Sequence, residues 1–395
     1  MISVEEALKI VLNTKGDFGV VSVSLKDAFN CILGEDIAAD RDSPPFNRVM
    51  MDGIAVDSSV LTSQKKDSFF IEGIQPAGEV QTILSNKNNC IEVMTGAVLP
   101  ANTDTIIPYE NIEILNGIAY IKEDVIPKKF IHWQGADHKK SALALSKFKK
   151  INAATIGLLA SLGIAEVKVL RTPKVAIVAT GNELVGVDDI PLSHQIRMSN
   201  VYSLRAALKA DNIAGDIFHI NDDEAELFSK LSGIINEYDV VLISGGVSKG
   251  KYDHVPDVLQ KIGVEKLFHR VAQKPGKPFW FGLHAPLKTH VFAYPGNPIS
   301  TFVCFHFYFR QWLFASLKNE LTFPLLPLLN KITPNNNLDQ FIPVVLSNSG
   351  SELISTSNNG SGDLISMATI DGFIFLPKRL ASYPEKSIFS FIRIT

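Results

Sequence analysis

Apolar positions in the first part of the chain, up to about residue 165, recur in short runs of strand type, framed by two helical stretches. Ser3 and Glu6 stand at capping-box spacing and predict a helix through Leu12. Residues 20–25, 69–72, 90–94, 105–108 and 119–122 read as strands separated by Gly, Asn and Pro turns. Residues 152–162 read as a helix, with Asn152 as N-cap and Gly163 just past its end. From Pro173 the rhythm changes. Strands at 174–179, 216–220, 240–243, 266–271, 279–282 and 290–293 alternate with helices at 200–210, 223–237 and 252–262, and a long helix starts at Pro298. That alternation predicts βαβ units and a mostly parallel sheet, with ligands at the carboxyl ends of the strands. Loops 180–183, 244–253 and 295–298 fall at such ends. From Pro324 the pattern is β-like again. Hairpin strands are expected at 352–355, 364–367 and 373–376, with turns at Asn358-Asn359-Gly360 and Asp371-Gly372.

The loop after Ile243 is the richest in chemistry. An apolar run stops at Ser244-Gly245-Gly246, which brings backbone N–H groups within reach of a phosphate. Lys249, Lys251 and Asp253 follow, so a phosphorylated ligand with a divalent metal is expected. Gly245 to Lys251 also fits the first seven positions of the P-loop pattern. The eighth should be Ser or Thr, for Mg²⁺, and here it is Tyr252, which argues against an NTPase.

Other candidates surround this loop. Arg270 and the loop Lys274-Pro275-Gly276-Lys277-Pro278 place three cations within eight residues, as an anion site or a solvated turn. Glu183, Asp222 and Asp253 each lie just beyond a predicted strand and could hold Mg²⁺, which takes oxygen ligands. Asp222 reads equally as a helix cap. Asn297-Pro298 reads as a helix start or an anion receptor. In the N-terminal part, Ser43-Pro-Pro-Phe46 leads into Met50-Met-Asp-Gly-Ile-Ala-Val56. Thr95 sits in the turn Met94-Thr-Gly-Ala97, and Asp137 follows Gly135.

Bulk properties narrow the classes. The chain has 395 residues, 46% apolar and 20% charged, as in soluble multidomain proteins. A net charge of −3 gives no global basis for binding nucleic acid. Three scattered cysteines argue against a disulfide framework or a zinc site and fit a reducing compartment. The N-terminus lacks the features of a signal peptide. The one long apolar stretch, 299–317, contains His306, Arg310 and Gln311 and reads as a buried helix rather than a membrane span. A cytoplasmic protein without membrane contact is expected.

Together these segments resemble the MoeA family of molybdopterin molybdenumtransferases, also seen in the E domain of gephyrin. The matching stretches are Pro44-Pro-Phe46, Met51-Asp-Gly-Ile-Ala-Val56, Met94-Thr-Gly-Ala97, Ala179-Thr-Gly-Asn-Glu-Leu184, Ser244-Gly-Gly-Val-Ser248 and Tyr252-Asp253. Further on come Lys274-Pro-Gly-Lys-Pro278, Pro295-Gly-Asn-Pro298, Gly360-Ser-Gly362, Ser366-Met367 and Leu376-Pro377. The resemblance implies a multidomain α/β plus β fold. A helical linker region would span 1–20, 40–48 and 140–170, and an inserted β-rich lobe 21–39 with 49–139. A three-layer, mostly parallel α/β molybdopterin-binding domain would span 171–322, and a small β-barrel 323–395.

The resemblance also implies insertion of molybdate into adenylylated molybdopterin with release of AMP, with Mg²⁺ as cofactor. It implies a homodimer whose active site is shared between subunits, and it suggests a molybdopterin adenylyltransferase as partner. Asp52, Thr95 and Asp137 would come from the lobe of a second copy. Glu183, Asp222 and Asp253 would act from the α/β domain as catalytic and metal-binding groups. Gly245, Gly246 and Ser248 would cradle the cofactor-like substrate. Arg270, Lys274 and Lys277 would contact phosphate or molybdate, Pro295 and Pro298 would shape the adjoining loop, and Ser366 would complete the site. The chain departs from the family pattern at His132, where Arg is usual, and at Ala136, Asn182, Met198 and the arginine-free segment around Leu338. A catalytically weak pterin-binding scaffold and a phosphate-ester hydrolase stay open as alternatives.

Overall fold

The computed structural model describes residues 1–248, 253–334, 338–357, 359–378 and 382–394; Lys249, Lys251, Tyr252 and Asn358, named above, lie outside them. The chain divides into two compact units. One comprises Val23–Phe29 with Glu35–Val167, the other Met1–Ser22, Asn30–Gly34 and Lys168–Thr395.

The first unit is built on a six-stranded sheet in the order Thr105–Pro108, Gly53–Val56, Cys90–Val93, Ser68–Gln75, Ile118–Ile121, Ile112–Leu115. Its pairings are antiparallel except between Ser68–Gln75 and Cys90–Val93. The strand alternation is visible at Gly53–Val56, which is buried throughout. Ala55 joins one apolar cluster with Ile91, Val93 and Ile106, whereas Ile54 and Val56 join another with Phe69 and Ile107. The helix Ala153–Ser161 also lies in this unit, with Asn152 Oδ1 accepting from the Thr155 amide at 2.9 Å.

In the second unit, Ser3 caps the helix Val4–Asn13 by accepting from the Glu6 amide. A six-stranded α/β sheet then forms from β1 (Val175–Thr180), β2 (Gly215–Ile220), β3 (Val240–Ser244), β4 (Glu265–His269), β5 (Trp280–His284) and β6 (Thr289–Tyr294). The order is β2-β1-β3-β6-β5-β4; the first four are mutually parallel, and β5 runs antiparallel to both of its neighbours, β6 and β4. β1 and β3 are buried along their whole length, because helices cover both faces. Val175, Ile177, Val240 and Leu242 face Val201, Leu204 and Leu208 of the helix Asn200–Ala210. Ala176, Val178, Val241 and Ile243 face Leu227 and Leu231 of Glu224–Glu237, and Val258 and Leu259 of Val255–Ile262. The result is a three-layer domain.

The helix beginning at Pro298 runs to Ser316 through a π-helical turn at Phe305–Phe309. It is a buried helix, as its polar content implied. Arg310 is neutralised by Asp211 through two hydrogen bonds of 2.7 Å, with both side chains largely covered. Among the described residues no helix is long and apolar enough to cross a membrane.

The C-terminal strands β7 (Leu325–Leu328), β8 (Asp339–Leu346), β9 (Leu353–Ser355), β10 (Gly372–Leu376) and β11 (Ser387–Arg393) close a small barrel. The circuit runs β8-β9-β7-β11-β10 and returns to β8. Gln273–Lys274 adds to its edge beside Asp339–Gln340. One expected strand is corrected: Leu364–Met367 is a helix. Asp363 accepts from the Ser366 amide and hydroxyl, a capping geometry that overrides the apolar alternation.

Candidate active site

The strand order creates the site. From β1 the chain winds outward to β2 and then crosses to β3 on the other side, so β1 and β3 diverge at a topological switch point. A cavity of about 760 Å³ opens at their carboxyl ends. Glu183 after β1, Asp222 after β2 and Asp253 after β3 all line it, together with Gly245, Gly246, Ser248 and Pro298. Asp223, not Asp222, is the helix cap: its carboxylate accepts from the Glu226 amide. Asp222 is therefore free for the cavity, and its loop is fixed by its amide donating to Asn182 Oδ1 at 2.9 Å. Burial raises the pKa of the Asp222 carboxyl, and the nearby charges of Glu183 and Asp253 raise it further.

The glycines have a steric cause. Gly245 has φ +110°, and a Cβ there would lie 2.6 Å from the Thr180 carbonyl oxygen. A side chain would break the close approach of β3 to β1.

A second cavity of about 780 Å³ adjoins the first and carries the opposite charge. Lys274 and Lys277 line it with Gln340, Pro343 and Pro295. Ser248, Gly296 and Asn297 line both cavities and form their common rim. The Lys274–Pro278 loop is held from below. Gln273 is fully buried, its Nε2 donates to Pro275 O at 3.0 Å, and Tyr308 Oη donates to its Oε1 at 2.5 Å. Tyr308 comes from the π-helical turn. The rim is held by Asn200, whose Nδ2 donates to Gly296 O at 2.7 Å and Ser244 Oγ at 2.8 Å. Asn297 begins the long helix, but its side chain donates to Ser361 Oγ instead of capping it.

Asp52, Thr95 and Asp137 fall in the other compact unit. Asp52 Oδ1 accepts from the Thr95 hydroxyl at 2.7 Å and the Thr95 amide at 2.6 Å, and these bonds lower its pKa. His132 stands between Arg48 and Asp137. Arg48 Nη2 can only donate, so His132 Nδ1 accepts at 2.9 Å and its Nε2–H donates to Asp137 Oδ1 at 2.8 Å.

Two sequence candidates stand apart. Arg270 lines neither cavity; its φ is +77° and its Nε is buried. Ser366 also lines neither, and its hydroxyl donates to Asp363 Oδ2 at 2.5 Å. Thr180 and Asn182 are site-forming residues that the sequence placed in a ligand-end loop without a role, and Asn200, Gln273 and Tyr308 are ones it did not single out. Thr180 and Asn182 shared the signal of that turn, Asn182 as a departure within it.

As a set, the carboxylates offer oxygen donors that suit a hard divalent cation. Among the described residues no three acidic, His or Cys groups stand close enough to form a metal site by themselves.

Comparison with known proteins gives concordant results. A model of the MoeA N-terminal region (domains I and II) matches residues 2–163. A probable molybdopterin binding domain matches 176–315, and the MoeA C-terminal region (domain IV) matches 326–390. The chain is 36% identical to a molybdopterin molybdenumtransferase of Synechocystis sp., covering 99% of both proteins. It is 29% identical to one from Staphylococcus aureus, over 95% of this chain and 91% of that protein. A crystal structure of a molybdopterin biosynthesis MoeA protein from Pyrococcus horikoshii superposes with a TM-score of 0.87 at 29% identity, covering 100% of this chain and 99% of that one.

Proposed function

The chain belongs to the MoeA family, and from that premise we propose that it is a molybdopterin molybdenumtransferase inserting molybdate into adenylylated molybdopterin with release of AMP. One observation carries this reading: an acidic and a basic cavity share a rim at the switch point of a three-layer α/β domain. The substrate is a polyanion and molybdate a dianion, so bringing them together requires fixed positive charge and backbone donors. Gly245 and Gly246 allow backbone to approach phosphate, and Lys274 and Lys277 supply the cations.

Glu183, Asp222 and Asp253 are the groups that would hold Mg²⁺, with water and substrate phosphate completing its shell. Bound there, the cation would neutralise phosphate oxygens and make AMP a better leaving group. Asp52, Thr95 and Asp137 act, on this reading, from a second copy of the chain, in a cytoplasmic homodimer. The Thr95 bonds keep Asp52 ionised, and His132 orients Asp137. Arg48 brings a guanidinium beside His132, where this chain lacks the arginine usual in the family pattern.

The test is AMP release from adenylylated molybdopterin, with and without molybdate and Mg²⁺. Release that requires both is the expected result. Binding without release would indicate a scaffold, and release indifferent to molybdate a phosphate-ester hydrolase. Asp253→Ala should abolish release without unfolding the protein.

A further inference from the structure

Thr180 ends β1 and is 4% exposed, and its Oγ1 has no hydrogen-bond partner among the described residues. Of the other hydroxyls near this end of the sheet, Tyr294 Oη at the end of β6 is likewise unmatched among the described residues but lines neither cavity, whereas two are matched. Ser244 Oγ accepts from Asn200, and Thr301 Oγ1 donates to Pro295 O at 2.6 Å. A buried hydroxyl left unmatched destabilises a fold, and in a native structure it calls for a reason.

Its position supplies one. Thr180 stands at the switch point, lines the acidic cavity, and abuts the glycine pair. A Cβ at Gly245 would fall 2.7 Å from its Oγ1, and one at Gly246 3.0 Å away. The glycines thus lay the backbone of the cradle directly against this hydroxyl. The carboxylates of Glu183 and Asp222 can only accept hydrogen bonds when ionised, and they repel an anion. A lysine beside them would pair with them. A hydroxyl gives the cavity a donor without either consequence.

The geometry points to Thr180 as a further binding residue, its hydroxyl donating to a phosphate oxygen of a ligand seated at Gly245-Gly246. The identity of that ligand as adenylylated molybdopterin rests on the function proposed above; the phosphate chemistry does not.

Thr180→Val keeps the branched shape and removes the donor, while Thr180→Ser keeps the donor. The melting midpoint of each ligand-free protein is measured first. Calorimetric titrations with adenylylated molybdopterin and, separately, with inorganic pyrophosphate follow. Thr180→Val should melt no lower than the wild type yet bind roughly tenfold more weakly, with Thr180→Ser within about threefold of wild type. Unchanged affinity in Thr180→Val, or equal losses in both variants, overturns the role. A markedly lower midpoint for Thr180→Val also overturns it, because the hydroxyl would then have a partner in the free protein. Thr180-dependent binding of pyrophosphate without binding of the nucleotide-linked pterin would refute the proposed substrate and leave Thr180 in place. A wild type that binds neither probe overturns both.

Discussion

Asn200→Asp asks directly whether the two cavities depend on one tie. The Asn200 amide has two hydrogens, directed at Gly296 O (2.7 Å) and Ser244 Oγ (2.8 Å), and a peripheral contact to Thr301 Oγ1 at 3.4 Å. Replacing the amide nitrogen by a carboxylate oxygen keeps the shape and removes both donors. Each lost bond costs about 1 kcal/mol, and leaving the Gly296 carbonyl unmatched against an anion costs about 1–3 kcal/mol more. The Ser244 hydroxyl can turn to donate to the new carboxylate and recover one bond. The expected loss is therefore about 2–4 kcal/mol at pH 7. Asn200→Ala loses both bonds but adds no charge, and water can reach the exposed Gly296 carbonyl, so it should lose about 2 kcal/mol, at the low end of that range. The gap between the variants should shrink as pH falls through the carboxyl range near ~4, where a protonated acid again offers a donor. Urea unfolding of the three proteins at pH 7 and pH 4 measures these differences. Because Gly296 and Asn297 line both cavities, the affinity for adenylylated molybdopterin should fall along with stability. If both variants are as stable as the wild type at pH 7, the oriented donor is not what holds the rim.

Three further outcomes follow from particular contacts. Gly245→Ala must place a Cβ 2.6 Å from the Thr180 carbonyl at φ +110°, and should lower stability by about 2–4 kcal/mol, read by thermal unfolding. Asp211→Ala leaves the covered Arg310 guanidinium uncompensated and should cost about 3–5 kcal/mol, whereas replacing both residues with apolar ones should cost much less. His290 is buried against Thr14 O with its pKa pushed down from 6.5 to about 4 by desolvation. Between those values the unfolded chain binds the extra proton and the native state does not, so stability rises with pH across this window. The wild type should lose about 2 kcal/mol between pH 7 and pH 5 from this group alone. His290→Gln, which keeps a donor for Thr14 but does not titrate, should show a correspondingly shallower pH dependence in denaturant titrations.

The fold was legible wherever local pattern and burial agree. β1 and β3 are largely apolar runs because helices cover both sides, and Ser3 and Asn152 cap helices whose starts they signal. Reading failed at Leu364–Met367, where four apolar-leaning residues look like a strand until Asp363 captures the Ser366 amide. The site was legible where a loop has a composition of its own, as with the glycine pair and Lys274–Pro278. It was legible at Thr180 only as a member of the 180–183 loop, without a role, and not at all at Asn200, Gln273 or Tyr308. Each is a single polar residue in a regular element, and its meaning rests on what lies far along the chain from it. Asn200 meets Gly296 across 96 positions, and Gln273 meets Tyr308 across 35. No periodicity or spacing rule reports such a contact. Even the ambiguity at Asp222 was resolved only by seeing the neighbouring Asp223 serve as the cap.

The separation of charge into two cavities has its own physical logic. Placed together, Lys274 and Lys277 would pair with Glu183 and Asp222, and every ligand would have to break those pairs before binding. Among the described residues none of these four side chains has an ion-pair partner. Burial first, and then the charges of Glu183 and Asp253, raise the pKa of Asp222, and the lysines stand unneutralised beyond the rim. Both sets are thus left with charge to compensate, and neither can compensate the other. A ligand carrying a cation at one end and an oxyanion at the other relieves both at once, whereas a cation or an anion alone relieves only one. Binding of Mg²⁺ and of a phosphate-linked substrate should therefore be mutually reinforcing. The rim that keeps the charges apart is the part of the site where rigidity matters most. That is where the fold places Asn200, a fixed amide bridging the end of β3 and the Pro295–Pro298 loop.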